Sequence, residues 1–405
     1  MKNGASWLWV VWCSSLLALS AACEVLEVRN PGGIDDKALD EEVAFPGLVT
    51  GISGDLSIAI RRTSWEHSPM ADELTHSGTH VEPHLYAQGT LTPIAANSWW
   101  GEAHRARWVA EQGVTRMERV LGGREGQNNL VARAHLLAGF ANRLLGEHVC
   151  YAVIDGGVPQ PFTVHFDRAE AHFTKALEIA ERTGESNLRN AAAAGRASVR
   201  AALGRWSDAV VDAQQVPMGF RYDAIFSLNT PRENNQWTIR TQTRGEYTVW
   251  GTQWMHEKSD PRVPWQAVIT AAGDTAVAAN GRTKWVRQRK YVSDADNIAL
   301  AKGTEMVLLR AEAALRQGNV SAAVALMNEG RGHVGLQPLT VTTLSEAWTA
   351  LHRERGAVLW LEGRRMWDLR RWYQETGPAR HPFLEGRDTC VPISDNEANS
   401  NPNAR

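Results

Sequence analysis

The chain has 405 residues, of which 43% are hydrophobic and 22% are charged, and this composition is typical of a globular protein rather than a disordered or fibrous one. Its length allows one large or two medium hydrophobic cores. The net charge of −2 gives no electrostatic reason to expect nucleic acid or an acidic membrane surface as a partner.

The N-terminal segment has the features of a secretion signal. Lys2 carries the positive charge, Trp7 to Leu19 is apolar but too short to span a bilayer, and Ala22 is a small residue suited to cleavage. We therefore predict a signal peptide at residues 1–22.

The sequence LSAAC, which ends at Cys23, has the form of a bacterial lipobox and predicts lipidation of that cysteine. The alternative is an ordinary secretory signal cut near Ala22. No later segment is expected to cross a bilayer.

The cysteines are few enough to suggest a pairing. Cys13 leaves with the signal and Cys23 would be acylated, so Cys150 and Cys390 remain in an oxidising compartment. A disulfide between them is expected, and two unrelated buried thiols are the alternative.

Residues 23–45 are expected to form a lipidated tether and entry, followed by a single helical domain at 46–405. Within it, residues 64–93 are rich in His, Gly, Thr and Pro and are predicted to be loop. His80, Glu82 and His84 alternate there, but the run lacks the helical spacing of H-E-x-x-H, so no metal site is predicted.

Helical periodicity begins at Ser98 and predicts a helix over residues 98–120. Three similar segments follow, each rich in small residues and each ending at a glycine, namely Gly146, Gly204 or Gly318. Partner helices are predicted at 208–216 and 320–328, and a further amphipathic helix is predicted at 166–180, before the middle pair. This gives a mostly α fold of tetratricopeptide-like helix hairpins. These repeats occupy 98–216 and 304–372, and a loop-rich insertion at 217–303 interrupts them.

The insertion mixes tryptophans with polar side chains, a composition found in carbohydrate-binding surfaces. We predict Trp65, Trp237, Trp250 and Asn235 as ligand-binding residues. The alternative is that these tryptophans only seal the insertion onto the helices. No nucleotide-binding or catalytic motif is found in the sequence, so neither an enzyme nor a cofactor is predicted.

The C-terminal part contains a second strong helix signal. Thr343 and Glu346 have capping-box spacing and predict a helix that runs at least to Trp360, followed by a bend at Gly363. Several arginines surround the carboxylates, and their spacing predicts an ion-pair network rather than a general acid, because arginines lower carboxylate pKa values. The network comprises Glu354, Glu362, Arg365, Asp368 and Arg371.

The run ERGAVLWLEGRRMWDLRRW, followed by Cys390 to Ile393 and by Asn401 to Asn403, resembles the C-terminal signature of the SusD/RagB family of outer-membrane nutrient-binding lipoproteins. Other segments are also similar to SusD/RagB proteins. These are the lipobox, the NPG segment after it, the DPRV run at Asp260–Val263 and the helix motifs LLRAEAALRQGN and MNEGR.

The resemblance implies a mostly helical protein with tetratricopeptide-like units, held by its lipid anchor on the outer face of the outer membrane. It also implies that the protein presents a nutrient, an oligosaccharide or a peptide, to a TonB-dependent transporter of the SusC type. The family's ligand-binding residues follow no motif that can be matched here. The competing hypothesis is a helical-repeat scaffold lipoprotein that binds only protein partners.

Overall fold

The structure is a computed structural model that describes residues 36–377 and 381–404. The predicted signal peptide and Cys23 lie outside these residues. The chain divides into two compact units, Met1–Ala44 and Phe45–Arg405. The described part of the first unit forms two 3₁₀ turns, Asp36–Leu39 and Glu42–Ala44.

The second unit is mostly helical, as predicted. Its helices are α1 (Phe45–Glu66), α2 (Val81–Gln88), α3 (Pro93–Leu121), α4 (Asn129–His148), α5 (Thr163–Thr183), α6 (Ser186–Ala202), α7 (Trp206–Gln214), α8 (Gly303–Arg316), α9 (Val320–His333), α10 (Leu344–Val358), α11 (Arg365–Thr376) and α12 (Asp395–Ser400). Its strands are short: β1 (Thr75–His76), β2 (Tyr151–Ala152), β3 (Gln160–Pro161), β4 (Arg221–Ala224), β5 (Tyr247–Thr248), β6 (Trp265–Ala267), β7 (Val286–Gln288) and β8 (Ile298–Lys302).

The helices α3 to α9 form an array in which each helix packs on the next one in sequence. Small side chains allow the close approach, since an added Cβ at Gly146 would lie 2.7 Å from the Phe166 ring. Gly146 is thus inside α4 and not at its end, which corrects the prediction. Gly204 and Gly318 do lie just beyond helix ends, with φ of 76° and 73°.

The insertion between α7 and α8 is closed at its base by an antiparallel pairing of β4 with β8, in which Arg221 lies opposite Lys302. Further along, β6 pairs with β7, and β5 pairs with β1. The β1–β5 pairing joins the insertion to the segment that follows α1. The prediction of 64–93 as loop was wrong over α2, which is a helix with Gly89 as its left-handed C-cap.

The C-terminal helices form the predicted bend. Thr343 and Glu346 make the reciprocal capping-box hydrogen bonds, and α10 ends at Val358, two residues earlier than expected. Leu361 and Gly363 both have positive φ, 59° and 72°. An added Cβ at Gly363 would lie 3.1 Å from Thr63 Cγ2, so glycine permits the bend to lie directly on α1.

One stretch, Glu42–Glu66, is long and apolar enough by length and composition to cross a membrane, with a mean hydropathy of 1.5. This corrects the expectation that no segment after the signal meets those criteria. From Phe45 onward the stretch is α1. Most of its apolar residues are buried, and it packs against α3 and α4 as a core helix does.

Candidate functional site

A cleft of about 480 Å³ opens between the segment after α1, helix α2, the turn that follows β5 and the 3₁₀ turn Pro382–Leu384. The β1–β5 pairing fixes its shape, because Thr75 lies opposite Thr248 and donates a 2.8 Å hydrogen bond to the carbonyl oxygen of Trp250. Its size falls within the usual range for small-ligand sites. It is lined by Pro69, Ala71, Asp72, Leu74, Thr75, His76, His84, Ala87, Gln88, Gly251, Thr252, Gln253 and Phe383.

Asp72 is the acidic residue of this lining, and long-range contacts hold it. Arg365 of α11 donates two hydrogen bonds to its carboxylate, at 2.7 and 2.8 Å, and Gln253 donates a third at 2.6 Å. The indole of Trp254 donates to the backbone oxygen of Asp72 at 2.9 Å. The carboxylate is therefore a fixed acceptor whose position depends on the C-terminal helices.

Two imidazoles face each other in the lining. The rings of His76 and His84 are 5.8 Å apart, and the ring of His76 also meets Tyr247 at 5.5 Å. Burial, together with the neighbouring His84, lowers the pKa of His76 to about 4. His76 is therefore neutral at neutral pH and can both donate and accept a hydrogen bond.

Phe383 supplies the aromatic surface of the cleft and is 41% exposed. The guanidinium of Arg387 lies 4.5 Å from its ring centroid. Arg387 also donates to the backbone oxygens of Ala87 at 2.7 Å and Met70 at 3.3 Å, which ties the 3₁₀ turn to α2. The ring is thus held in place at the edge of the cleft, where its free surface can stack on a ligand.

Of the four predicted ligand-binding residues, Trp250 alone is accessible, with 38% exposure, and it immediately precedes Gly251 in the lining. Trp237 is fully buried, donates to Ser64 Oγ at 3.1 Å and stacks on Tyr291. The prediction of Trp237 as an exposed ligand contact was wrong, because this side chain seals the insertion onto α1.

Trp65 and Asn235 are also buried and require the same correction. The guanidinium of Arg240 covers the ring of Trp65 at 3.4 Å from its centroid. The Asn235 amide donates to the backbone oxygens of Ser293 and Asp296, at 3.2 and 2.7 Å. Both residues therefore stabilise the insertion and offer nothing to a ligand in solvent.

The sequence analysis missed Asp72, His76 and Phe383, which lie far apart in the chain. The abundance of histidine in 64–93 was the available signal, but it drew the interpretation to His80, Glu82 and His84. His80 is the N-cap of α2 and the other two lie on that helix, so the three are not on one extended strand. Within the described residues, no group of three or more His, Cys, Asp or Glu side chains is placed to hold a metal ion.

The C-terminal carboxylates and arginines are buried and paired, but mostly not with one another. Within the predicted network, Asp368 and Arg371 form an ion pair at 2.8 Å, and Arg355 also donates to Asp368. Burial alone would raise the pKa of Asp368, but these two arginines outweigh it and hold the pKa well below the usual range. This carboxyl is unsuited to act as a general acid.

The remaining members of the predicted network have partners from distant segments. Arg365 binds Asp72 and not Asp368, and Arg364 binds Glu147 and Glu305. Glu362 accepts from Lys290 and Lys302, each at 2.7 Å. Glu354 accepts from Arg262 and Arg331. The pairs therefore connect the C-terminal helices to the array and to the insertion.

The structure places Cys150 and Cys390 in a disulfide with their Cα atoms 5.1 Å apart. Next to it, the Val391 and His148 backbones hydrogen-bond at 2.7 Å, and the Cys150 N–H donates to the Val391 oxygen at 2.9 Å. The tail after α11 is thereby attached to the end of α4.

Residues 231–404 match the family model described as the SusD family. No curated protein sequence matches the chain. Among solved structures, a SusD superfamily protein from Bacteroides thetaiotaomicron is similar, with a TM-score of 0.66 and 14% identity over 90% of this chain and 98% of that one.

Two more solved structures are similar. A SusD-like carbohydrate binding protein from Bacteroides vulgatus has a TM-score of 0.63 and 14% identity over 81% of this chain and 82% of that one. A SusD superfamily protein from Parabacteroides distasonis has a TM-score of 0.64 and 12% identity over 92% of this chain and 99% of that one. At these identities the structural likeness establishes the fold alone. Residues 231–404 thus resemble the SusD family in sequence, and the fold of SusD superfamily proteins is matched over most of the chain.

Proposed function

We propose that the protein is a cell-surface lipoprotein that binds a glycan or other oligomeric nutrient in the cleft and delivers it to a TonB-dependent outer-membrane transporter of the SusC type. The match of residues 231–404 to the SusD family model supports the general role. One similar solved structure is a SusD-like carbohydrate binding protein, which favours a sugar as the ligand. The proposed anchor is an acylated Cys23, which would hold the chain on the membrane without a spanning helix.

The observation that carries the proposal is the composition of the cleft. A partly exposed aromatic ring, Phe383, lies beside fixed uncharged donors and acceptors such as Gln253 and His76. Sugars present apolar ring faces and a surrounding belt of hydroxyl groups, and this combination of side chains suits both. A binding role requires no catalytic group, so we propose that the ligand leaves the cleft unchanged.

Isothermal titration of the chain from Glu24 onward against a panel of oligosaccharides and peptides tests the proposal. We expect saturable binding of one glycan class, weakened at least about tenfold in Phe383→Ala, because the stacking surface is lost. Tyr151→Ala is the matched control, since Tyr151 is a similarly exposed aromatic residue outside the cleft lining. Chromatography of the recovered ligand should show no cleavage.

The scaffold hypothesis has its own supporting observation. An open groove of about 600 Å³ between α5 and the α6–α7 turn is lined mainly by charged and polar residues, including Glu170, Lys175, Glu178 and Arg205. Charges of both signs can pair with a protein segment of complementary charge, whereas a neutral sugar offers them no partner. If no glycan or peptide bound in the cleft while charge reversal at Glu178 abolished co-purification with a partner protein, the scaffold role would replace the nutrient-binding role.

A further inference from the structure

The charges of the cleft are arranged asymmetrically around one ion pair. The Arg365 guanidinium binds Asp72 from the interior of the protein, because the Arg365 side chain is 5% exposed and the Asp72 side chain is 19% exposed. A ligand in the cleft therefore meets the carboxylate of the pair and not the guanidinium. Gln253 also donates to Oδ2 of this carboxylate at 2.6 Å, so Oδ1, which accepts only from Arg365, keeps a lone pair for a ligand hydroxyl group.

The other described polar residues of the lining are uncharged donors and acceptors at neutral pH or are histidines. Thr75, Thr252, Gln88 and Gln253 carry no charge, and the half-buried His76, whose pKa is lowered to about 4, stays neutral. No lysine or arginine is found among the described lining residues. An anionic ligand would therefore find no fixed cation to pair with its charge.

Apart from Arg365, which is paired with Asp72, Arg387 is a second cation in contact with the lining, and it is already engaged. It stacks against Phe383 and donates to the backbone oxygens of Ala87 and Met70. Turning it toward a ligand would break these hydrogen bonds and release the aromatic ring. The guanidinium thus supports the stacking surface and is not available as an anion receptor.

We infer that the cleft selects neutral glycans over acidic ones, with Asp72 accepting a hydrogen bond from a sugar hydroxyl group and Phe383 stacking on a sugar ring. This inference rests on the proposed function and specifies its ligand class. A uronate or sulfate group in the cleft would lose part of its hydration with no free cation to replace it, and would meet an Asp72 charge that Arg365 offsets only in part. Together these effects would weaken binding by roughly tenfold. The volume of about 480 Å³ suits a short stretch of two or three sugar units.

Matched pairs of ligands that share a backbone and differ in charge test the inference. Suitable pairs are methyl-esterified and free oligogalacturonides, desulfated and sulfated carrageenan oligosaccharides, and xylo-oligosaccharides without and with glucuronic acid. Titration calorimetry at pH 7 and low salt should show the neutral member of any recognised pair binding about tenfold or more tightly. Equal or tighter binding of the acidic member would overturn the inference while leaving a glycan-binding function intact.

A charge introduced into the wall provides the complementary test. Gln88→Lys places a cation in the last turn of α2, where the helix dipole favours it, so folding is preserved. This variant should recover most of the tenfold loss for the acidic member, and the control Gln127→Lys, at an exposed site outside the lining, should not. An unchanged preference in Gln88→Lys would place discrimination elsewhere and reject the inference. If no glycan of either charge bound, the proposed function would fail together with it.

Discussion

The contact of Phe173 with two glycines yields a sharp stability prediction. Phe173 is fully buried in α5, and an added Cβ at Gly195 of α6 would lie 2.5 Å from its Cζ atom. On the other side, a Cβ at Gly139 of α4 would lie 2.6 Å from the ring. The ring is thus confined between two helices and cannot move away from a new methyl group.

Gly195→Ala should therefore destabilise the protein even though alanine favours helix. Alanine in place of a helical glycine contributes about 1 kcal/mol of stability, whereas overpacking a confined site costs about 1–3 kcal/mol, and the confinement of Phe173 favours the upper end. We expect a net loss of about 1–2 kcal/mol, measured as a lower urea midpoint at unchanged slope.

Gly54→Ala is the matched control, because Gly54 lies inside α1 and an added Cβ there meets nothing within 4 Å. This variant should gain about 0.5–1 kcal/mol from helix propensity alone. In a Phe173→Leu background, Gly195→Ala should become neutral or stabilising, since the smaller side chain leaves room. A Gly195→Ala protein as stable as Gly54→Ala would refute the packing argument.

Two further predictions concern buried groups. Burial raises the pKa of Glu66 to about 8 despite the nearby Arg62, so the folded state holds a proton that the unfolded state releases near pH 4.3. The stability linked to this proton is fully present below about pH 4.3 and is lost as pH rises to about 8. The free energy of unfolding of Glu66→Gln should therefore exceed that of the wild type by about 3–4 kcal/mol at pH 7.5 and by little at pH 4. Arg62 keeps its two hydrogen bonds to Glu102 in this variant, and denaturant midpoints that shift equally at both pH values would contradict the assignment. Separately, the Cys150→Ser/Cys390→Ser protein should lose up to about 5 kcal/mol, since the bridge closes a loop with a sequence separation of 240 residues. Reduction of the wild type with dithiothreitol should lower its melting temperature similarly, and a melting temperature insensitive to both changes would show that the bridge adds no stability.

Helices that depend on local signals could be predicted from the sequence. The periodicity from Ser98 predicted most of α3, and the capping box at Thr343 and Glu346 placed the start of α10. These features depend on residues within a few positions of one another, so the sequence alone contains the required information. Helix α2 was missed because its eight residues are too few to establish a periodicity.

Burial and pairing partners could not be predicted, because long-range packing decides both. Trp237 and Trp250 lie in similar polar surroundings in the sequence, yet one is fully buried and the other is 38% exposed. Arg365 has Asp368 at helical spacing but pairs with Asp72, which is 293 residues away. Local spacing predicted that Arg365 would be buried with a carboxylate partner and could not identify which carboxylate it would be.

The attachment of the C-terminal bend to the cleft has an evolutionary consequence. Arg365 orients Asp72, and the Leu361 N–H donates at 2.6 Å to Glu73, the next residue. A substitution in the bend would therefore alter ligand affinity without touching the ligand. Divergence of ligand preference is thus restricted at residues 72 and 73 and at Gln253, which also holds Asp72. It is freer at Gln88 and Phe383, and exchanges at these two positions are the ones by which related proteins could acquire new ligands while retaining the same fold.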